Sequence, residues 1–379
     1  MAAIRVLQVF TSMGRGGAES MIMNYYRNID RTKVQFDFLV HREERAAFDD
    51  EIEQMGGIIY RMPAINPINP KKYYKALRKF FKTNNTYKIV HSHLNTFSIF
   101  PLKIAQEFNI STRVAHSHTA LQKLNVIDYF NYKNIGDTIK YSIKSIQKKQ
   151  IHKYSTHCFA CGDKAGKWLF GYNSNFKILN NAIDTKQFVY NNALSLKLKE
   201  EFGLTENLVL GHIGNFTVPK NYSFILKVFK DQLNSKPNTK LVLIGNGPLL
   251  LDIQKRAKDY HIESNILFLG LRTNISELLQ MIDVFVFPSI YEGLPVTLVE
   301  AQAAGLKILA SDTITEEVKL TADIQFLPIT EGTKPWVQAI QELGEVQKNN
   351  NYDKIVNGNY DIISNSKEIE KFYLTQNML

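Results

Sequence analysis

Two carboxylates, Glu292 and Glu300, stand with seven residues between them in "PSIYEGLPVTLVEAQAAG" (residues 288–305). Glu292 opens a turn through Gly293 and Leu294, and Pro295 suits the first turn of a helix that Gly305 would close. The leading amides of a helix have no intrahelical acceptor, so those of Gly293 and Leu294 are offered to a phosphate or to sugar hydroxyls. Glu300, inside the helix, can accept hydrogen bonds from two vicinal hydroxyls such as those of a ribose. A carboxylate repels bare phosphate, which gives Glu292 to sugar hydroxyls or to a neighbouring lysine. Taken alone, either glutamate reads equally well as a partner of the helix dipole.

Two further loops have the same character. "GHIGNFTVPKNYSFI" sets Gly214, Asn215 and Lys220 between a strand and a helix, where Lys220 can serve as a point charge for phosphate or be an ordinary surface lysine. Near the start, "GRGGAES" brings Gly16 and Gly17 to a helix N-terminus, a place for an anion or simply a tight turn. The spacing is not GxGxxG, and no acidic residue closes the next strand, "FDFLV", so a dinucleotide fingerprint is not met.

The elements that must position these loops repeat. "IRVLQVF", "FDFLV", "KIVHSH", "TRVAHSH" and "HCFACG" are short apolar runs separated by helical or loop segments, with Met21, Ile22, Tyr25 and Ile29 on one helical face. A second series follows, "LVLGHIGNF", "KLVLIGNG", "NILFLG", "DVFVFPS" and "LKILAS", with helical stretches at 221–233 and 249–260. Each series reads as a doubly wound parallel sheet, with ligands expected at the carboxyl ends of the strands. The α/β chain divides into 1–185, 186–365 and a closing amphipathic helix, 366–379.

With Gly16, Gly17, Ala18 and Glu19 after the first strand, Lys220 after the first strand of the second half, "IGNGP", "FLG" and "PSIYEGLPVTLVEAQAAGLKILASD", the chain resembles the retaining glycosyltransferases of the GT-B fold, family 4. It is most similar to the bacterial exopolysaccharide and capsular-polysaccharide sugar transferases. The resemblance spans essentially the whole chain, and the two-glutamate pattern is its most specific part. It implies two Rossmann-like domains facing each other across a cleft, with the last helix returning to the first domain. It implies a nucleotide-diphosphate sugar donor, UDP-linked, with no cofactor and no metal.

Carried over residue by residue, Glu300 would bind the ribose, Gly293 and Leu294 the donor sugar or diphosphate, and Glu292 would lie beside the sugar. Lys220 would neutralise the departing diphosphate, and Gly16 and Gly17 would close on it. The base would lie near Gly245, Asn246 and Gly247 and near Leu271. His118 matches a histidine that faces the donor sugar from the first domain; His116 is a second candidate, or a core histidine. Where the family pattern usually has arginine this chain has Asn215, which removes one positive charge from the diphosphate site.

The bulk numbers suit this reading. At 379 residues, 44% hydrophobic and 22% charged, the chain has room for two globular domains. No apolar run is long enough to cross a bilayer and no signal peptide is evident, so a cytoplasmic protein is expected. Cys158 and Cys161 sit three apart on a strand and point to opposite faces, which gives structural cysteines and not a redox or zinc pair. Residues 1–185 hold 27 basic against 14 acidic side chains, net +13, while residues 186–379 hold 19 against 22, net −3. The basic excess gathers in "KKYYKALRKFFK" (71–82) and "IKYSIKSIQKKQIHKY" (139–154), as solvated helix faces or as a peripheral contact with an anionic membrane. A saccharide or polyprenyl-diphosphate-linked acceptor would be met there. Nucleic acid is not expected, because the acidic second half breaks any continuous basic track. The remaining alternatives are a GT-B sugar-nucleotide epimerase and a nicotinamide-dependent oxidoreductase, the latter lacking its phosphate-binding turn.

Overall fold

The computed structural model describes residues 3–118, 145, 147–344 and 346–378. The chain forms two compact units: Met1–Ala182 with Ile362–Leu379, and Ile183–Asp361. The divisions fall a few residues earlier than the expected 185/186 and 365/366. The two connecting segments lie side by side at that point, where Ile183 pairs in parallel with Asp361 and its N–H donates to Tyr360 O at 2.9 Å.

In the first unit, the strands are β1 (Ile4–Phe10), β2 (Val34–Val40), β3 (Ile59–Arg61), β4 (Ile89–Ser92), β5 (Thr112–Ser117), β6 (His157–Ala160) and β7 (Lys177–Ile178). They form one parallel sheet in the order β3-β2-β1-β4-β5-β6-β7. A sheet covered by helices on both faces buries both sides of its strands, and every residue of β2 is buried, with Val34, Phe36, Phe38 and Val40 on one side and Gln35, Asp37 and Leu39 on the other, where Asp37 is paired with Arg5. The order turns back on itself between β1 and β4, so the loops leaving those two strands open on the switch point where α/β sheets take ligands. The final helix, Ile362–Met378, packs on helix Gly17–Asn28, and Ile362, Ile369 and Tyr373 join Tyr25 and Phe36 in the core of this unit.

The second unit repeats the plan with β8 (Leu208–Ile213), β9 (Thr239–Ile244), β10 (Ile266–Gly270), β11 (Val284–Phe287), β12 (Lys307–Ser311) and β13 (Ile324–Leu327). Their order is β10-β9-β8-β11-β12-β13, again parallel, with the switch point between β8 and β11. This pair of doubly wound units is the GT-B architecture. Sequence reading missed β3, β7 and β13, which are edge strands or their neighbours and are too short to show a period.

Helix Lys71–Thr83 turns Tyr73, Leu77, Phe80 and Phe81 inward and leaves Lys71, Lys72, Lys75, Lys79 and Lys82 exposed. In the second basic stretch, 139–154, residues 139–144 and 146 lie outside the described residues. Cys161 is buried, whereas Cys158 is only partly so, with its sulfur 3.7 Å from Ser155 Oγ and 3.8 Å from His152 Nδ1. The two are not joined in a disulfide, and burial pushes the Cys158 thiol up.

Candidate active site

The switch point of the second unit is built by two loops fastened together. After β8 the chain reaches a short turn, Val218–Lys220, and Asn221 enters the left-handed region at φ 55° before helix Tyr222–Ser235 begins. The Asn221 side-chain amide donates to Pro288 O at 3.2 Å, and the Ile290 N–H donates to Pro219 O at 2.8 Å. These two bonds hold the β8 loop against the β11 loop, and so hold Lys220 against Glu292. The Lys220 ammonium lies 2.7 Å from Glu292 Oε1, with both side chains less than one-fifth exposed. That oxygen has no donor in hydrogen-bonding alignment, so the contact is electrostatic and the carboxylate keeps accepting capacity. The ammonium also lies 4.8 Å from the centre of the Phe287 ring.

His212 belongs to this group and was not anticipated. It is fully buried on β8, and its Nδ1–H donates to Val286 O at 2.8 Å. That bond fixes Nε2 as a bare lone pair, buried and without a partner. Burial and the charge of Lys220 pull its pKa down to about 3. Gly214 makes the close approach possible: a Cβ there would stand 3.1 Å from Lys220 Cε and 3.2 Å from His212 Nε2. The one available signal was a polar residue inside an otherwise apolar strand.

Helix Val296–Ala303 starts immediately after the turn, with Pro295 as its N-terminal boundary residue and Gly305 beyond its end at φ +72°. Among the described residues, the amides of Gly293 and Leu294 have no acceptor, and the Glu300 carboxyl has neither a hydrogen-bond donor nor an ion-pair partner. Glu300 keeps some accessible surface although protein surrounds its carboxyl, and this burial pushes its pKa up to about 7. A buried carboxyl without a compensating donor is suited to receiving hydroxyl donors.

The β9 and β10 loops complete the rim of this unit. Gly245 adopts φ +139°, and a Cβ there would lie 2.0 Å from Gly214 O, so only glycine fits. The Phe216 N–H donates to Asn246 O at 2.9 Å, and Asn246 Oδ1 accepts from the Gly247 N–H at 2.8 Å. Gly245 N–H donates in turn to Gly270 O at 2.9 Å, next to Leu271, which is 60% exposed. Asn215, Asn246 and Leu271 thus gather on one rim together with the Lys220–Glu292 pair. The side chains of Asn215 and Asn246 are exposed, and Lys220 has a carboxylate partner but no arginine from position 215.

In the first unit, Gly16 precedes helix Gly17–Asn28, and a Cβ on it would meet Glu19 Oε2 at 2.2 Å. The Glu19 carboxyl folds back across that turn, and burial raises its pKa. His118 follows β5, with its backbone N–H donating to Asn95 Oδ1 at 2.8 Å and its ring 2.8 Å from that of His93. His116 lies one step back along the strand, fully buried.

Residues 195–325 match the family model described as "Glycosyl transferases group 1". Over 342 residues, 89% of this chain and 86% of the relative, the chain is 36% identical to a protein named as a glycosyltransferase, EpsF of Bacillus subtilis (strain 168). It is 24% identical to the capsular polysaccharide biosynthesis glycosyltransferase CapH of Staphylococcus aureus, over 99% of this chain and 100% of CapH. Among solved structures, Anabaena Alr3699/HepE in complex with UDP and glucose superposes with a TM-score of 0.77 at 15% identity, covering 98% of this chain and 100% of that one.

Proposed function

The chain belongs to the group 1 glycosyl transferases, and we propose that it is a retaining, metal-independent enzyme of family 4. In this reading it moves a hexosyl or N-acetylhexosaminyl group from a UDP-linked sugar to a saccharide or polyprenyl-diphosphate-linked acceptor, in cell-surface polysaccharide synthesis. The observation that carries the reading is the set of unsatisfied groups at the second switch point. An ammonium held by one carboxylate, two free amides and a partnerless Glu300 lie on loops joined by hydrogen bonds. The names of EpsF and CapH support a glycosyltransferase of polysaccharide synthesis, and the UDP and glucose in the HepE complex support the donor class.

Each group then has a task. Glu300 accepts from the ribose hydroxyls, and the Gly293 and Leu294 amides with Lys220 take the diphosphate. The incoming diphosphate competes with Glu292 for the Lys220 ammonium, which frees Glu292 for hydroxyls of the transferred sugar. The loops at Gly245, Asn246, Gly247 and Leu271 receive the base beside Asn215; in the first unit, the Gly16 and Gly17 amides suit an anion and His118 suits a sugar hydroxyl. The bond from the anomeric carbon to the diphosphate oxygen breaks with its electron pair leaving on that oxygen. The acceptor oxygen bonds to the same face of the carbon, and its proton passes to the departing oxygen. Preorganised charge around that oxygen lowers the barrier without a dedicated base. The exposed lysines of helix Lys71–Thr83 suit an anionic membrane face, where a lipid-linked acceptor would be found.

A thermal-shift screen against a panel of nucleotide sugars tests this reading. One UDP-sugar is expected to raise the melting temperature with dose, by mass action, and to remain unconverted without acceptor. A panel that leaves the melting temperature unmoved contradicts it, and conversion of the donor alone would identify an epimerase.

A further inference from the structure

Six buried polar groups of the first unit form one unbroken line of hydrogen bonds: His118, His93, Gln8, Tyr373, His91 and His116. His118 Nε2 lies 2.8 Å from His93 Nδ1, and His93 Nε2 lies 2.9 Å from Gln8 Oε1. The Gln8 side-chain N–H donates to the Tyr373 hydroxyl at 3.3 Å. Tyr373 Oη is 2.7 Å from His91 Nδ1, and His91 Nε2 is 3.1 Å from His116 Nδ1. The two ends, His118 Nδ1 and His116 Nε2, are buried and have no partner among the described residues. The imidazole nitrogens of His91, His93 and His116 lie within 4.8 Å of one another, but the rings stack, with interplanar angles of 22° for His91 with His93 and 15° for His91 with His116. His91 Nδ1 and Nε2, both His93 nitrogens and His116 Nδ1 are already engaged in this line, and among the described residues only His116 Nε2 of the three rings stays open, too few ligands to hold an ion.

We infer that Gln8, oriented by Tyr373, sets the tautomer of the whole line and makes its two ends opposite in character. The Gln8 carbonyl can only accept, so His93 donates from Nε2–H and keeps Nδ1 bare. His118 then donates from Nε2–H, which leaves its Nδ1 as a free acceptor. On the other side, Tyr373 accepts from Gln8 and donates its own proton to His91 Nδ1. His91 passes Nε2–H to His116 Nδ1, and His116 ends as an Nε2–H donor. Burial holds all four imidazoles neutral, so each ring has one proton to place. Gln8 and Tyr373 are therefore positioning residues for His118, and Tyr373 exerts this role from the terminal helix, Ile362–Met378. The consequence for transfer rests on the proposed contact of His118 with a sugar hydroxyl: the line of bonds fixes the protonation the ring brings to that contact.

Nitrogen-15 NMR of the full-length, histidine-labelled protein, with His118 assigned by the signal lost in His118→Asn, reads the tautomers without requiring activity. The expected wild-type pattern is His118 with bare Nδ1 and protonated Nε2. Tyr373→Phe keeps the ring packed on Phe36 and Phe372 and removes only the hydroxyl that orients Gln8, so His118 and His116 should become tautomer mixtures. Gln8→Leu should do the same to His118 with no change at the terminal helix. A wild-type His118 protonated at Nδ1, or one unchanged in both variants, overturns the relay. The donor KM of Tyr373→Phe should rise up to about tenfold with kcat little changed, the size of one neutral hydrogen bond. If the tautomers respond and the KM does not, the relay stands and the sugar contact of His118 is removed.

Discussion

Burial raises the Glu300 carboxyl from 4.5 to about 7, and this one shift has two opposite consequences with pH. The folded protein favours the protonated form more than the unfolded chain does. The stability lent by that proton is therefore whole below about 4.5 and lost as pH rises through about 7. Ribose hydroxyls donate to the ionised form, so donor affinity should rise over the upper part of the same interval. Calorimetric titration of the donor between pH 6 and 8 should show this tightening. In Glu300→Gln it should be absent, with affinity lowered roughly ten- to a hundredfold at the upper end, the range for a hydrogen bond to a charged group. A wild-type pH profile in Glu300→Gln would remove the ribose assignment. At this scale the sequence was partly legible. A lysine neighbour for Glu292 was among its readings because a carboxylate in a phosphate loop needs a donor or a cation beside it. His212 and the Gln8–Tyr373 line were not legible, since their roles depend on partners far away in the chain, up to Gln8 with Tyr373.

The loops are held as elements by glycine contacts with backbone atoms, which cannot move aside as a flexible side chain can. Gly245→Ala would put a Cβ 2.0 Å from Gly214 O at a φ of +139°. The strained conformation alone costs about 1–3 kcal/mol, and the clash adds to it. The two tryptophans fall one in each unit, so urea unfolding followed by Trp336 fluorescence in a Trp168→Phe background reports the second unit. The Gly245→Ala midpoint should fall and donor binding weaken with it; an unchanged midpoint would mean that the β8 and β9 loops are not locked together. The central strands were readable as elements because burial on both faces writes them as apolar runs. The edge strands were not: β7 is two exposed residues, Lys177–Ile178, paired only with β6.

For the molecule as a whole, the chain leaves its first unit at Ala182 and returns at Ile362, placing a buried tyrosine of the last helix against His91 of the fourth strand. The amphipathic closing helix was legible in the sequence, whereas its hydrogen bonds were not. Charge is also divided at this scale, +13 in residues 1–185 against −3 in residues 186–379. Cosedimentation should show binding to vesicles rich in anionic lipid, loss with added salt and none to neutral vesicles. Replacing Lys71, Lys72, Lys75, Lys79 and Lys82 together by glutamine should weaken it; equal binding to both vesicle types would remove the membrane role. The central claim is that the second switch point discharges a nucleoside diphosphate past Lys220. It is tested most directly by the rate of UDP release from the donor found in the stability screen, with acceptor present, in wild type and in Lys220→Ala. Wild type should transfer with retained anomeric configuration, and a folded Lys220→Ala protein should show a kcat lower by roughly 10²–10³-fold. Release at the wild-type rate in that variant would contradict it.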